Sequence, residues 1–353
     1  MNNLTGLLLT VIAGTSVGFS MWPLKWARSW RWENFWFVYS FLALIVLPIG
    51  LAFSVVPHLA AVYASLTLQE VLLPLLLGLF WGFAQLGAGV CMQRLGLAVT
   101  VAVLSGVGAA FGTIIPLISL HRETTLASNG LLILTGTVLM LAGATFCGWS
   151  GYLREAEVRG RNIGSGFGKE QVAMRQENMG ASAYILTLGI AVGSGILSSL
   201  LNIALAYGTG IMKAGEAHGA KASWAPFAVW PIALLGGSIV NLASSAYLLT
   251  TKKTWGHFNG FALKEALNPT VAALLWMAGI AVYSSGTTFL GKLGVSIGFA
   301  VYMIAMIFNG QLAAIVSGEW RLMRRRTYRL FALGVSLLVV AVLTIGTSNY
   351  LDK

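Results

Sequence analysis

The chain contains ten apolar stretches of about twenty residues each. A helix of that length crosses the bilayer core, which is about 30 Å thick, so each stretch predicts a membrane span. Apart from Arg329 near the start of the last stretch, they contain no Asp, Glu, Lys, Arg or His. Because a charge at a helix centre costs about 2.5 to 3.5 kcal/mol, this pattern favours insertion. The predicted spans are residues 4–22, 34–56, 71–93, 97–120, 131–152, 181–207, 224–250, 270–290, 294–316 and 328–347.

The composition excludes a water-soluble globular protein. Hydrophobic residues make up 57% of the chain and charged residues 9%, whereas soluble domains average roughly 25% charged. The formal net charge of +11 would suggest a nucleic-acid partner in a soluble protein. Here the basic residues lie between apolar stretches, where they determine membrane topology. We therefore expect membrane lipid as a partner and no nucleic acid, and the sequence gives no oligomeric state.

Basic residues are concentrated in every second connection between the predicted spans. With the N-terminus outside, 17 of the 22 Lys and Arg residues lie in inside connections. The positive-inside rule then predicts both termini on the periplasmic side. An even number of spans agrees with this, because it keeps both termini on one side. The first stretch is followed by Lys25, Arg28 and Arg31, the reverse of the charge order in a signal peptide, so we expect it to remain as a span.

The longest inside connection divides the predicted spans into five and five. We therefore predict a first five-helix repeat at residues 1–152, a cytoplasmic linker at 153–180 and a second repeat at 181–353. Gly14-Thr15-Ser16 in span one is echoed by Gly193-Ser194-Gly195 in span six. Since each half has an odd number of spans, the second copy enters the membrane from the opposite side. The predicted fold class is thus an all-α membrane protein of ten helices in two inverted repeats, as in many secondary transporters.

The spans lack the side chains that membrane enzymes and electron carriers use. All four histidines lie between the spans, and the only aspartate is Asp352 near the end of the chain. Intramembrane metal, haem and acid–base sites would therefore have no ligands or bases. We expect no metal, no cofactor and no enzymatic activity, although a membrane enzyme or a receptor-like binding protein remains as the alternative from another class.

What the spans do contain is uncharged hydrogen-bonding groups and aromatic rings. A sugar offers hydroxyls to amides and apolar C–H faces to rings, so these groups suit a neutral polyol better than an anion. For each amide, a packing contact with a neighbouring helix is an equally good explanation. We predict a midplane cavity between the two halves, with substrate contacts from Gln85, Asn202, Asn309, Trp81, Tyr302 and Trp276.

Several short motifs resemble the rhamnose-proton symporter family of the drug/metabolite transporter superfamily. The resemblance runs from the first span to the last. Its residues are Pro23-Leu24-Lys25, Trp30-Arg31-Trp32-Glu33 with Trp36, Trp81-Gly82 with Gln85 and Gly89, Arg94-Leu95-Gly96, Pro116 and Glu319-Trp320. This resemblance implies a ten-helix inner-membrane protein that takes up L-rhamnose or a similar deoxysugar with a proton, by alternating access.

Proton coupling needs a group that titrates during the transport cycle. No span interior supplies one, so the candidates are glutamates at span ends, namely Glu319, Glu33 and Glu70. Each has a structural alternative, since Glu33 can interact with a helix dipole and Glu319 can pair with the neighbouring arginines. The alternative functions for the same fold are a drug or metabolite exporter and an uncoupled sugar uniporter.

Overall fold

A computed structural model describes residues 2–23, 29–95, 97–160, 181–259, 263–316 and 323–348. These residues form helices joined by short turns, and they contain no strand. Eight of the helical segments are long and apolar enough to cross a membrane. Two shorter apolar segments, Asn3–Phe19 and Gly294–Asn309, lie at the predicted first and ninth spans. The all-helical, multi-span prediction is therefore confirmed.

The helices of the N-terminal part follow the predicted spans closely. They are α1 (Asn2–Phe19), α2 (Trp32–Val55), α3 (Leu59–Ala64), α4 (Leu68–Leu95), α5 (Leu97–Leu120), α6 (Arg122–Thr125) and α7 (Ser128–Gly160). Helix α7 is longer than predicted, because it continues eight residues into the predicted linker. The rest of that linker, 161–180, lies outside the described residues.

The remaining helices include one predicted span that is divided. They are α8 (Ala181–Ser198), α9 (Leu200–Tyr207), α10 (Thr209–Ala217), α11 (Val229–Thr251), α12 (Leu263–Phe289), α13 (Gly294–Val316) and α14 (Arg325–Ser348). The division at Ser199 has a local cause. The backbone N–H of Ser199 bonds the carbonyl of Ile196, three residues back, and its hydroxyl donates to the same oxygen at 2.7 Å. Serine side chains compete in this way for helix carbonyls and distort the helix.

A second irregularity lies within α2, where Leu42–Val46 forms a π-helical turn. Pro48 follows it and has no N–H to donate to the carbonyl four residues earlier. The wider turn accommodates this missing hydrogen bond, and π-turns of this kind are frequent near functional sites. It lies on the helix that carries Glu33, Trp36 and Tyr39.

The helices group into two compact units. Unit 1 comprises Met1–Phe83 and Leu200–Asn309, and within it α1 packs on α12 while α2 packs on α11 and α12. Unit 2 comprises Ala84–Ser199 and Gly310–Lys353, and within it α14 packs on α7, α7 on α5, and α5 on α8. Each unit contains segments from both predicted repeats.

Small residues bring helix backbones into close contact within unit 1. A Cβ placed on Gly78 of α4 would collide with the carbonyl oxygen of Ala233 in α11, and one on Gly236 would collide with that of Leu75. Gly78 therefore marks a close-packing surface. By contrast, a Cβ on Gly189 or Gly193 of α8 would meet no neighbouring atom within 4 Å, so these two glycines mark no close helix contact.

We predict that Gly78→Ala destabilises the protein by about 1 to 3 kcal/mol, because the added methyl forces α4 and α11 apart. The matched control is Gly50→Ala in α2, where a Cβ would meet nothing within 4 Å. That variant should be as stable as wild type or slightly more stable, since Ala is the better helix former. Thermal unfolding of the detergent-purified variants measures both effects. Equal stability of the two variants would contradict the close contact.

Candidate substrate site

Two tryptophans from different helices of unit 1 form a buried aromatic pair. Trp81 of α4 and Trp276 of α12 lie with ring centroids 6.2 Å apart and planes 29° from parallel. Both are largely buried, at 8% and 9% exposure. Tyr39 of α2 packs edge-on against Trp276 at 6.5 Å. The sequence predicted both tryptophans as site residues, and the structure brings them into contact.

A second group joins an amide to buried tyrosines, also within unit 1. The Tyr283 hydroxyl of α12 donates a hydrogen bond to Oδ1 of Asn202 in α9. The Tyr283 ring packs on Tyr302 of α13 with centroids 5.1 Å apart, and Phe299 contacts both rings. Asn202 reaches this position because it lies three residues after the division at Ser199. Predicted residues Asn202 and Tyr302 are therefore linked through Tyr283.

The two groups share helix α12, which carries Trp276 of the first group and Tyr283 of the second. Seven residues are about two helical turns, so these two side chains project from the same face of α12. Together, the two groups present indole faces, phenol hydroxyls and an amide, all on buried side chains. Such a surface offers ring faces for C–H groups and hydrogen-bonding groups for hydroxyls, which is the chemistry that a sugar needs.

Asn309 makes a contact between helices. Its Nδ2 donates to Oγ1 of Thr15 in α1 at 2.9 Å and to the carbonyl of Ala305 at 2.7 Å. Its Cβ also lies beside Gly18 of α1. The structure therefore gives this amide a packing role, one of the two explanations that the sequence left open. The sixth predicted residue, Gln85, is half-buried in unit 2, whereas the other five belong to unit 1.

Glu33 lies in an ion pair that joins α2 to the end of α11. Its side chain is 1% exposed, Oε2 accepts a hydrogen bond from Nζ of Lys252 at 3.0 Å, and Oε1 accepts from Oγ1 of Thr254 at 3.1 Å. The neighbouring Asn34 donates to the carbonyl of Thr254 at 3.0 Å. A carboxylate in the first turn of a helix also interacts favourably with the helix dipole. These contacts hold the start of α2 against the end of α11.

Glu70 caps its own helix. The backbone N–H and the hydroxyl of Thr67 donate to its Oε2 at 2.9 and 2.8 Å, and the Glu70 N–H lies 3.4 Å from Oγ1 of Thr67. This reciprocal arrangement is a capping box, which satisfies the first amides of α4. The third candidate, Glu319, lies outside the described residues.

Comparison with known proteins matches nearly the whole chain. The L-rhamnose-proton symport protein (RhaT) family matches residues 1–349. This chain belongs to that family. The L-rhamnose-proton symporter of Mannheimia succiniciproducens is 23% identical over 355 residues, covering 97% of each chain. Those of Escherichia coli (strain K12 / DH10B) and Yersinia pestis are 23% and 21% identical and cover 98% of each chain.

Membership in the L-rhamnose-proton symport family decides two of the predictions. The family consists of transport proteins, which confirms that the chain is a transporter and not an enzyme. With eight candidate spans, the chain is a multi-pass inner-membrane protein. Among the described residues, no group of three or more His, Cys, Asp or Glu side chains is arranged to hold a metal ion.

Sequence reasoning overlooked three residues of this symporter-family chain. The sequence pattern singles out neither Tyr39 nor Glu265, and it does not place Tyr283 among the predicted substrate contacts. Glu265 lies in the first turn of α12, is 8% exposed and accepts a hydrogen bond from the Ser29 N–H at 3.1 Å. The available signal was Asn268, a buried amide one turn later on the same side of the helix.

Proposed function

We propose that the chain takes up a small neutral sugar, L-rhamnose or a similar deoxysugar, together with a proton. The observation that carries the proposal is the cluster of Trp81, Trp276, Tyr39, Tyr283 and Asn202, in a chain matched from end to end by the symport family. This cluster contains no charged side chain, which suits an uncharged ligand. The relatives' name, L-rhamnose-proton symporter, favours sugar uptake over export of a drug or metabolite.

We further propose ten spans in two inverted repeats, at 1–152 and 181–353. Support comes from helix pairs within each unit. In unit 1, α1 meets α12 at Gly279 and α13 at Gly14. In unit 2, α8 meets α4 at Gly87 and α5 at Gly108. Numbered as predicted spans, the contacts in unit 1 are 1–8 and 1–9, and those in unit 2 are 6–3 and 6–4. Spans 1 to 5 of the first repeat correspond in order to spans 6 to 10 of the second. Replacing each span by its counterpart converts contact 1–8 into 6–3 and contact 1–9 into 6–4.

Two further contacts fit the same rule. Span two packs on span seven (α2 on α11), and span five packs on span ten (α7 on α14). Span seven is the counterpart of span two, and span ten is the counterpart of span five, so each of these contacts is converted into itself. An inverted repeat requires this relation, because the same helix contacts must form in both halves. The pairing supports the drug/metabolite transporter architecture.

The proposed topology places both termini in the periplasm and the 153–180 linker in the cytoplasm, because 17 of 22 basic residues then face inwards. An impermeant thiol reagent should label Ser165→Cys in inverted vesicles but not in intact spheroplasts, and Lys213→Cys with the opposite preference. The native Cys91 and Cys147 are buried and give little background. The reverse labelling pattern would invert the topology.

Ligand binding tests the proposed substrate directly. L-rhamnose at 100 times its dissociation constant should stabilise the purified protein by about 2.7 kcal/mol, read as a rise in Tm. Trp276→Leu should weaken binding about tenfold, because it removes a ring face but keeps an apolar side chain. Gln85→Ala should also weaken binding without unfolding the protein, whereas Trp149→Leu, at a 46% exposed ring in unit 2, should not.

Three outcomes of this experiment carry different meanings. No stabilisation by L-rhamnose or by other deoxysugars would refute the proposed substrate class. Normal affinity in a folded Trp276→Leu variant would remove the aromatic pair from the site. Normal affinity in a stable Gln85→Ala variant would assign that amide to helix packing.

Proton coupling requires a carboxyl that changes protonation during transport. One proton moving down about 100 mV yields roughly 2.3 kcal/mol, enough for about a forty-fold sugar gradient. In the described contacts, Glu33 forms an ion pair with Lys252, and Glu70 caps its own helix. We therefore propose Glu319 as the leading proton carrier and add the buried Glu265 as the second candidate.

In proteoliposomes, Glu319→Gln should abolish proton-driven accumulation of L-rhamnose but retain counterflow exchange, because the neutral amide imitates only the protonated carboxyl. Glu33→Gln is the matched control. It should retain accumulation while lowering Tm, since it weakens the hydrogen bonds from Lys252 and Thr254. Normal accumulation by Glu319→Gln, with loss in Glu265→Gln, would transfer the role to Glu265. Accumulation unaffected by either change would indicate a uniporter or another coupling group.

A further inference from the structure

A file of aromatic side chains runs along α2 and ends at the candidate site. Trp32 stacks on Trp36 with centroids 4.8 Å apart and planes 18° from parallel, and Trp36 contacts Tyr39 at 5.1 Å. Tyr39 contacts Trp276 at 6.5 Å, and Trp276 stacks on Trp81. All five residues belong to unit 1. Each ring therefore contacts the next, from the start of α2 to the aromatic pair.

The exposure of these rings falls along the file. Trp32 is 45% exposed, Trp36 is half-buried, and Tyr39 is 5% exposed. The outermost ring is therefore accessible, as the first contact of an incoming or outgoing ligand must be, and the innermost ring is enclosed by protein.

The depth of the file separates it from an interfacial tryptophan belt. Residues 32, 36 and 39 lie on one helix face, and the seven-residue rise from the first to the last is about 10 Å. That distance is about a third of the hydrocarbon core, whereas belt residues lie at the single depth of the headgroups. The belt explains Trp32 but not the two rings below it.

The middle ring is held in a fixed orientation. Nε1 of Trp36 donates to Oδ1 of Asn241 in α11 at 3.1 Å, and Nδ2 of the same amide donates to the carbonyl of Gly237 at 2.9 Å. Asn241 is 1% exposed. The amide therefore satisfies the indole N–H, and the Trp36 ring makes apolar contacts, one of them with the stacked Trp32.

We propose that Trp32, Trp36 and Tyr39 form a path along which the sugar moves between the exposed start of α2 and the site at Trp276 and Trp81. The proposal rests on sugar transport as the proposed function. Sugars carry C–H groups on their ring faces, and a deoxysugar has an additional methyl group, so each aromatic ring provides a weak apolar contact. Neighbouring contacts about 5 to 6.5 Å apart allow the ligand to move without losing all contacts at once.

The path makes Trp32 and Trp36 important for the transport rate and less so for affinity at the deep site. In proteoliposomes loaded with L-rhamnose, Trp36→Leu and Trp32→Leu should lower the counterflow exchange rate about tenfold. Their dissociation constants should change less than about threefold. Trp36→Phe keeps a ring and should restore most of the rate. Rates are expressed per binding-competent protein, so that loss of folded protein does not imitate the effect.

The matched control is Trp255→Leu. Trp255 is 43% exposed, nearly the same as Trp32, and lies in unit 1. It contacts Phe37 and Phe258, and its N–H donates to Thr250, so it has interfacial surroundings without a place in the file. This variant should exchange sugar at the wild-type rate.

The possible results distinguish the path from the proposed function. If Trp36→Leu exchanges L-rhamnose at the wild-type rate, or if Trp255→Leu slows exchange equally, the path is wrong and sugar transport stands. If Trp36→Phe is as slow as Trp36→Leu, the ring is not the group that matters, and the path is likewise refuted. If the wild-type protein neither binds nor exchanges any deoxysugar, the proposed function and the path fail together.

Discussion

Close contact between helix backbones is the interaction on which the rest of this structure depends. Lipid tails are as apolar as leucine side chains, so burial from water does not hold membrane helices together. Here Gly78 and Gly236 place α4 against α11, and Gly14 places α1 against α13. At these positions a single methyl group would meet a backbone carbonyl. Trp81 lies on α4 and Tyr302 on α13, so the positions of these two site residues follow from those glycine contacts. Helix α12, with Trp276 and Tyr283, is held against α1 in the same way at Gly279.

The same tight packing determines how polar groups are arranged inside unit 1. A buried donor without a partner costs several kcal/mol in an apolar environment. The indole N–H groups of Trp230 and Trp36 are bonded, whereas the buried N–H of Trp22 has no partner among the described residues. Trp230 donates to Ser284 at 2.7 Å and Trp36 to Asn241 at 3.1 Å. A ring whose N–H is satisfied by the protein offers a ligand mainly its apolar face. The network therefore favours contact with sugar C–H groups and leaves hydroxyl recognition to tyrosines and amides.

Much of the fold was predictable because hydrocarbon imposes one rule on every span. An uncharged stretch of about twenty residues satisfies its backbone hydrogen bonds only as a helix, so the apolar helices could be located from the sequence. The contacts of Glu33 were not predictable, because Lys252 and Thr254 lie more than 200 residues away and their own sequence marks them only as polar loop residues. Tyr39 was missed for a similar reason. It lies in an aromatic-rich stretch where lipid contact explains the composition equally well. The division of the helix at Ser199 was not predictable either, because no Pro or Gly lies at the break.

The position of the carboxylates limits how a proton and a sugar influence each other in this chain. Glu33 is ion-paired at one end of α2, and the predicted spans hold no Asp or Glu. Both proposed coupling carboxyls, Glu319 and Glu265, therefore belong to span ends, apart from the proposed sugar site. Two ligands bound at separate places influence each other only if both prefer the same conformation. The preference must amount to a few kcal/mol to be useful, since one proton supplies about 2.3 kcal/mol per 100 mV. A rigid unit held by backbone contacts suits this requirement, because its helices change position together instead of absorbing the binding energy of either ligand locally.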